Sequence, residues 1–199
     1  MSIKSVTVYA ASSQALDPVY VQAAGRLGRT LAEAGLEIVY GGGSTGLMGA
    51  MADGALAVDG RVHGIIPEFL TRVERGHQHL HTLEVVGDMR ERKARMLEKA
   101  DAVVALPGGC GTFEELFEAM TLKRLGQFLG PIVLVNTADY YDGLIKFLRY
   151  STEQHFMNPA HLDLWQTVDE PEAVIEAIRR ATSWSAREAL ATASVKPVR

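Results

Sequence analysis

Two carboxylates, Glu114 and Glu115, stand just behind a run rich in glycine, "ALPGGCGTFEEL" (residues 105–116). Glycines ahead of a helix let backbone amides approach a ligand with no Cβ in the way. The start of a helix adds unpaired N–H donors and a partial positive charge. Together they suit an anion, most often a phosphate. A second run, "GGGSTG" (residues 41–46), also stands between an apolar segment and a helical one. Gly41, Gly43 and Gly46 fit G-x-G-x-x-G, but the next strand ends in Pro67 and Glu68 with no clear ribose-binding acid. That weakens a dinucleotide reading, and the absence of G-x-x-x-x-G-K-[ST] argues against a P-loop. A mononucleotide fits better.

A second explanation stands beside this one at each point. Both glycine runs could be tight strand-to-helix turns that need positive φ. Thr112-x-x-Glu115 has the form of a capping box, with the threonine capping the helix and the glutamate reaching back to its amide. The functional alternative has a phosphate on the loop amides and Glu115 turned sideways toward a sugar. Glu114 and Glu118 are expected at the surface.

The cations come from "DMRERKARM" (residues 88–96). Met89, Lys93, Met96, Leu97 and Ala100 trace one helical stripe, and Arg92 lies three positions from Met89. Arg92 and Lys93 thus stand beside an apolar face and need partners if buried. A guanidinium suits two-pronged capture of phosphate or carboxylate. The alternative is a solvated basic face. In "HQHLH" His77, His79 and His81 alternate, but no carboxylate or cysteine spacing supports a metal site, so no metal is expected. Cys110 has no histidine nearby in sequence to serve as its base and is read as a filler rather than a nucleophile.

These residues need a scaffold, and the apolar pattern supplies one. Strands are expected at Ser5–Ala10, 36–40, Arg61–Pro67, 101–107 and 131–136. Helices are expected at Asp17–Gly35, after Gly46, at Gly87–Ala100 with Asp88 as N-cap, from near Gly111, at 139–150 and at 170–181. Short apolar strands alternating with helices imply a parallel sheet covered on both faces. The fold class is α/β, a Rossmann-like doubly wound sheet of six or seven strands in a single domain, residues 1–182. Residues 183–199 are expected to form an extended or frayed tail. Ligands of such sheets bind beyond the carboxyl ends of the strands, where "ASS" (residues 11–13) and both glycine runs fall.

The 199 residues are 47% apolar and 22% charged, with net charge −4 and one cysteine. No basic excess points to nucleic acid. No apolar run reaches membrane-spanning length, and the first residues lack the blocks of a secretion signal. A cytoplasmic protein is expected.

"YGGGSTGLMG", "DMRERKARM" and "LPGGCGTFEEL" together resemble the signature stretches of the LOG ("lonely guy") family, the cytokinin riboside 5'-monophosphate phosphoribohydrolases. Pro107, Gly108, Gly109, Gly111, Thr112 and Glu115 match P-G-G-x-G-T-x-x-E, and Arg92–Lys93 match the preceding R-K pair. The resemblance implies hydrolysis of the N-glycosidic bond of an N6-modified adenosine 5'-monophosphate to free base and ribose 5-phosphate, with no cofactor, in a homodimer or larger assembly. It implies Arg92 and Glu115 as the catalytic pair. Glu74, Lys93, Gly109, Cys110, Gly111, Thr112 and Thr121 follow as substrate-binding positions, joined by Ser13, Gly43 and Met89. The family's older label, lysine decarboxylase, finds no pyridoxal-binding context around Lys93 or Lys99. A general AMP nucleosidase and a nucleotide-binding protein without turnover remain as alternatives, since a fold does not fix a function.

Overall fold

The computed structural model describes residues 3–72 and 76–192. Its strands are β1 (Ser5–Tyr9), β2 (Glu37–Tyr40), β3 (Val62–Pro67), β4 (Thr82–Val86), β5 (Ala102–Ala105), β6 (Ile132–Val135) and β7 (Gln166–Val168). They form one seven-stranded sheet in the order β4-β3-β2-β1-β5-β6-β7, parallel at every pairing. The expected α/β architecture is present. β4 and β7, at the two edges, were not among the expected strands. β4 is mostly exposed and β7 has three residues, so neither carries the buried apolar run that marks a central strand.

The chain adds strands outward from β1 to β4, returns to place β5 beside β1, and then adds outward on the other side. The loops after β1 and β5 therefore part company, which opens a crevice at the carboxyl edge. Helices α1 (Pro18–Glu33), α2 (Gly46–Leu56) and α6 (Val174–Arg180) cover one face, burying Leu27, Leu31, Met51 and Ile178 against Val6, Val8 and Ile38. Helices α3 (Met89–Glu98), α4 (Cys110–Arg124), α5 (Asp142–Glu153) and α7 (Ala186–Thr192) cover the other, with Met96, Leu116, Met120 and Leu148 against Val39, Ile65 and Val103.

Asp17 and Asp88 cap α1 and α3. Asp88 Oδ1 accepts from the amides of Arg90 and Glu91 at 2.8 and 2.9 Å, as the sequence predicts. α1 and α2 pack unusually closely at Gly28, where a Cβ would sit 1.9 Å from the carbonyl oxygen of Met51. The obstacle is backbone, so no rotamer relieves it. Gly28→Ala is expected to destabilise the protein by about 1–3 kcal/mol, the scale of core overpacking. The midpoint of urea unfolding checks this, and an unchanged midpoint would mean the two helices can separate freely.

One expectation is corrected. Residues 183–199 do not begin as an extended or frayed tail, because Ala186–Thr192 form α7. Ser185 and Glu188 make a reciprocal cap: Ser185 Oγ accepts from the Glu188 amide at 3.1 Å, and Glu188 Oε2 accepts from the Ser185 amide at 2.9 Å. Trp184 and Ala189 are buried beside α4. No helix among the described residues is long and apolar enough to cross a membrane.

Candidate active site

The crevice at the switch in strand order is a cleft of about 270 Å³. Ala10–Ser13 after β1, Gly41 after β2, Met89 and Arg92 of α3, and Gly109, Gly111, Thr112 and Glu115 around the start of α4 line it.

The two glycine runs serve different ends. In the first, Gly42 and Gly46 have φ of 76° and 61°, so a tight turn accounts for them. The amides of Leu47 and Met48, at the start of α2, donate to Ala11 O at 2.9 and 3.2 Å. That helix end is already satisfied from within the fold. Gly43, an expected substrate contact, instead pairs with Gly76 in an isolated bridge and accepts from Tyr40 Oη at 3.1 Å. Its neighbour Gly41 faces the cleft.

In the second run the helix start is left open. None of its glycines has positive φ, and a Cβ on Gly109 or Gly111 would meet nothing within 4 Å. Gly109 is the N-cap of α4 and offers no side chain to the helix. Among the described residues no acceptor takes the amides of Cys110, Gly111 and Thr112. These donors, with the positive end of a four-turn helix behind them, face open space. Thr112 is not the cap. It is buried in the first turn and lies over Gly108, where a Cβ would fall 2.1 Å from Thr112 Oγ1. The capping-box reading of Glu115 is thereby corrected, since a glycine holds the cap position.

Thr112, Glu115, Leu116, Ala119, Met120 and Lys123 form the buried stripe of α4. Glu115 thus stands where an apolar side chain would be usual, 8% exposed, at the end of the stripe that opens into the cleft. Among the described residues no donor hydrogen-bonds its carboxylate. Burial pushes its carboxyl up to about 7. Arg92 pulls against that, Glu114 adds to it, and Lys93 and Glu118 make smaller opposed contributions.

Arg92 is 6% exposed and has no carboxylate partner at ion-pair distance among the described residues. Its Nε donates to Ile65 O at 3.1 Å and its Nη2 to Gly41 O at 2.8 Å, so it ties the end of β3 to the loop after β2. Among the described residues Nη1 meets only the sulfur of Met89, at 3.7 Å. A Cβ on Gly41 would lie 2.0 Å from Arg92 Nη2, so the guanidinium keeps this position only while residue 41 has no side chain.

Other expected positions lie elsewhere. Lys93 turns to Glu114, with which it forms a hydrogen-bonded ion pair, and to Glu118 at 3.2 Å. The hydrogen bond that Lys93 donates to Glu114 is the main reason its amine is held above the usual range. Lys93 therefore acts on Glu115 only as a minor charge and does not line the cleft. Thr121 is exposed on another side of α4, between Phe117 and Arg124. Cys110 is exposed and its side chain does not line the cleft. Ser13 and Met89 do line it. Glu74 lies outside the described residues. The alternating histidines do not converge on one point: His77 bonds Asp53 at 3.0 Å and meets the His79 ring edge-on, while His81 accepts from the Val62 amide at 3.5 Å. Ala11, Ser12 and Gly41 line the cleft from the loops expected at the ligand edge, though not singled out as contacts, and Ala10 and Met48 line it without having been expected.

A family model described as "Possible lysine decarboxylase" matches residues 48–178. The cytokinin riboside 5'-monophosphate phosphoribohydrolase of Rhodococcoides fascians is 42% identical over 177 residues, covering 88% of this chain and 89% of that protein. A protein of the same name from Arabidopsis thaliana is 39% identical over 156 residues, 78% of this chain and 72% of its own length. Among solved structures, the molybdenum cofactor carrier protein of Chlamydomonas reinhardtii superposes with a TM-score of 0.70 at 20% identity, covering 90% of this chain and 98% of the other. At that identity the likeness concerns the fold alone. The buried glutamate, the arginine and the open helix start therefore take their context from the phosphoribohydrolases, and the chain belongs to that family, the LOG family.

Proposed function

We propose that the protein hydrolyses the N-glycosidic bond of cytokinin riboside 5'-monophosphates, releasing the N6-modified adenine and ribose 5-phosphate. One observation carries the reading. A buried carboxylate with no donor among the described residues shares a cleft with the open helix start at Gly109, Gly111 and Thr112. A nucleotide carrier needs the amides but not the carboxylate.

In this reading the amides of Cys110, Gly111 and Thr112 hold the 5'-phosphate. The cleft, near the low end of ligand-pocket volumes, takes the phosphoribosyl half and leaves the base toward the open side. Cleavage builds positive charge on the sugar, which a nearby carboxylate stabilises. Glu115 lies against the ribose and orients or deprotonates the attacking water. Arg92 positions the substrate and balances charge at the reacting centre. Incubation with isopentenyl-AMP and with AMP, followed by chromatography of the free base, tests this. Preferential release from isopentenyl-AMP is expected. Equal rates would make it a general AMP nucleosidase, and no base from either would make it a binding protein.

Self-association as a homodimer belongs to the same proposal. Phe117, Phe147, Tyr150 and Phe156 leave an exposed apolar surface on α4, α5 and the turn that follows, more than a solvated face needs. Thr121 lies within it. Phe147→Asp is expected to convert a dimer to a monomer in light scattering; a wild-type monomer would remove the dimer from the proposal. We place the enzyme in the cytoplasm, in keeping with its single, exposed, unpaired thiol at Cys110.

A further inference from the structure

Lys123 is the last residue of the buried stripe of α4 and only 3% exposed. Among the described residues no carboxylate lies within ion-pair distance of its ammonium and no acceptor hydrogen-bonds it. A buried charge without a partner is expensive, and neighbouring groups or a bound ion ordinarily offset the cost. Lys123 lines a cavity of about 70 Å³ together with Thr182, Gln166 and Asp163, walled by Leu164 and Trp165. None of these residues belongs to the catalytic cleft.

Size and charge narrow the occupant. Water takes up about 30 Å³ in the liquid, so the cavity holds about two waters or one small ion. A phosphorylated sugar is excluded by volume. The ammonium supplies one positive charge, and the Thr182 hydroxyl and Gln166 carboxamide supply neutral donors. Asp163 is exposed, and its carboxylate disfavours a doubly charged guest. We propose that Lys123, Thr182 and Gln166 form a binding site for one small monovalent anion, of chloride to formate size. The ion ties the end of α4 to β7 and to the segment that leads into α7. Burial lowers the lysine to about 8, so its protonated form still prevails at neutral pH and can receive the ion. The site does not rest on the proposed reaction, and its test needs no substrate.

Crystals soaked in sodium bromide are expected to show an anomalous bromide peak in the Lys123 cavity. In solution, sodium bromide or sodium formate, exchanged for sodium gluconate at fixed ionic strength, is expected to raise the unfolding temperature to a plateau. Lys123→Met should lose both the peak and the rise. If that variant does not fold, Thr182→Val should keep the fold and give a smaller rise at the same bromide concentration. No bromide peak in the cavity would overturn the proposal. A peak without a saturable rise, which marks an ion bound at crystal concentration only, would also overturn it, as would a rise identical in wild type and variants.

Discussion

Glu115→Gln is expected to lower release of the free base by at least about a hundredfold, the usual scale for an acid–base group, while making the protein harder to unfold above pH 7. Both effects follow from the same burial. The Glu115 carboxyl titrates at about 7 in the folded chain, against an ordinary value of 4.5. An acid whose folded value is raised contributes stability that is complete below its unfolded value and is lost as pH rises through its folded value. Above pH 7 the folded protein carries a desolvated carboxylate that the unfolded chain would keep in water. The cost is on the order of 3 kcal/mol at about 1.4 kcal/mol per unit. Glutamine cannot ionise, so the variant's advantage opens between pH 4.5 and 7 and is level beyond. Urea melts of both proteins at pH 5 and pH 8 check this. An equal difference at the two pH values would remove the buried carboxylate as its cause. In kinetics, the ionised carboxyl is the working form, so wild-type kcat/KM should rise with pH through about 7. Wild-type turnover by the glutamine variant would take Glu115 out of the mechanism.

That residue also shows where sequence reading reaches its limit. "T-x-x-E" at Thr112 and "S-x-x-E" at Ser185 have the same capping form. Only the second is a cap, because the glycines at 108, 109 and 111 move the start of α4 back to Cys110 and put Thr112 inside the first turn. The pattern carries the spacing of the two side chains but not the residue at which the helix begins. The central strands and the caps of α1 and α3 were legible because each rests on local chemistry: a buried apolar run, or an aspartate ahead of a helix. The edge strands β4 and β7 were not, since tertiary pairing forms them rather than their own pattern. The two glycine runs look alike in sequence. They differ in which acceptor reaches the helix behind each, and Ala11 O, 35 residues before the start of α2, settles that for the first. Likewise the stripe on α3 shows that Arg92 and Lys93 lie near the apolar face. It does not show that one turns inward to two backbone carbonyls and the other outward to Glu114 and Glu118.

Arg92→Met is expected to cut kcat/KM at least about a hundredfold, the loss typical of an electrostatic group preorganised in a dry site, and to move the rising limb of the pH profile above its wild-type position. The shift has a definite sign. Arg92 is the largest influence drawing the Glu115 carboxyl downward against its burial. Without that positive charge the carboxyl needs a higher pH to ionise. Arg92→Lys keeps the charge, so its limb should stay near the wild-type position. Its rate should still fall, because an ammonium cannot span Ile65 O and Gly41 O and leave a further nitrogen toward the cleft. The two variants thereby separate charge from geometry. Both should lose stability, since two carbonyls buried inside the fold give up donors at about 1–3 kcal/mol each. Gly41→Ala offers an independent route to the same state. Its methyl group would occupy the space of Nη2 and displace the guanidinium while leaving its charge in the protein. It should resemble Arg92→Lys in rate. If Arg92→Met raises KM and leaves kcat alone, Arg92 binds the substrate and takes no part in the chemical step. If the limb does not move, the arginine and the glutamate act independently, and the electrostatic pairing that links α3 to α4 across the cleft plays no part in the reaction.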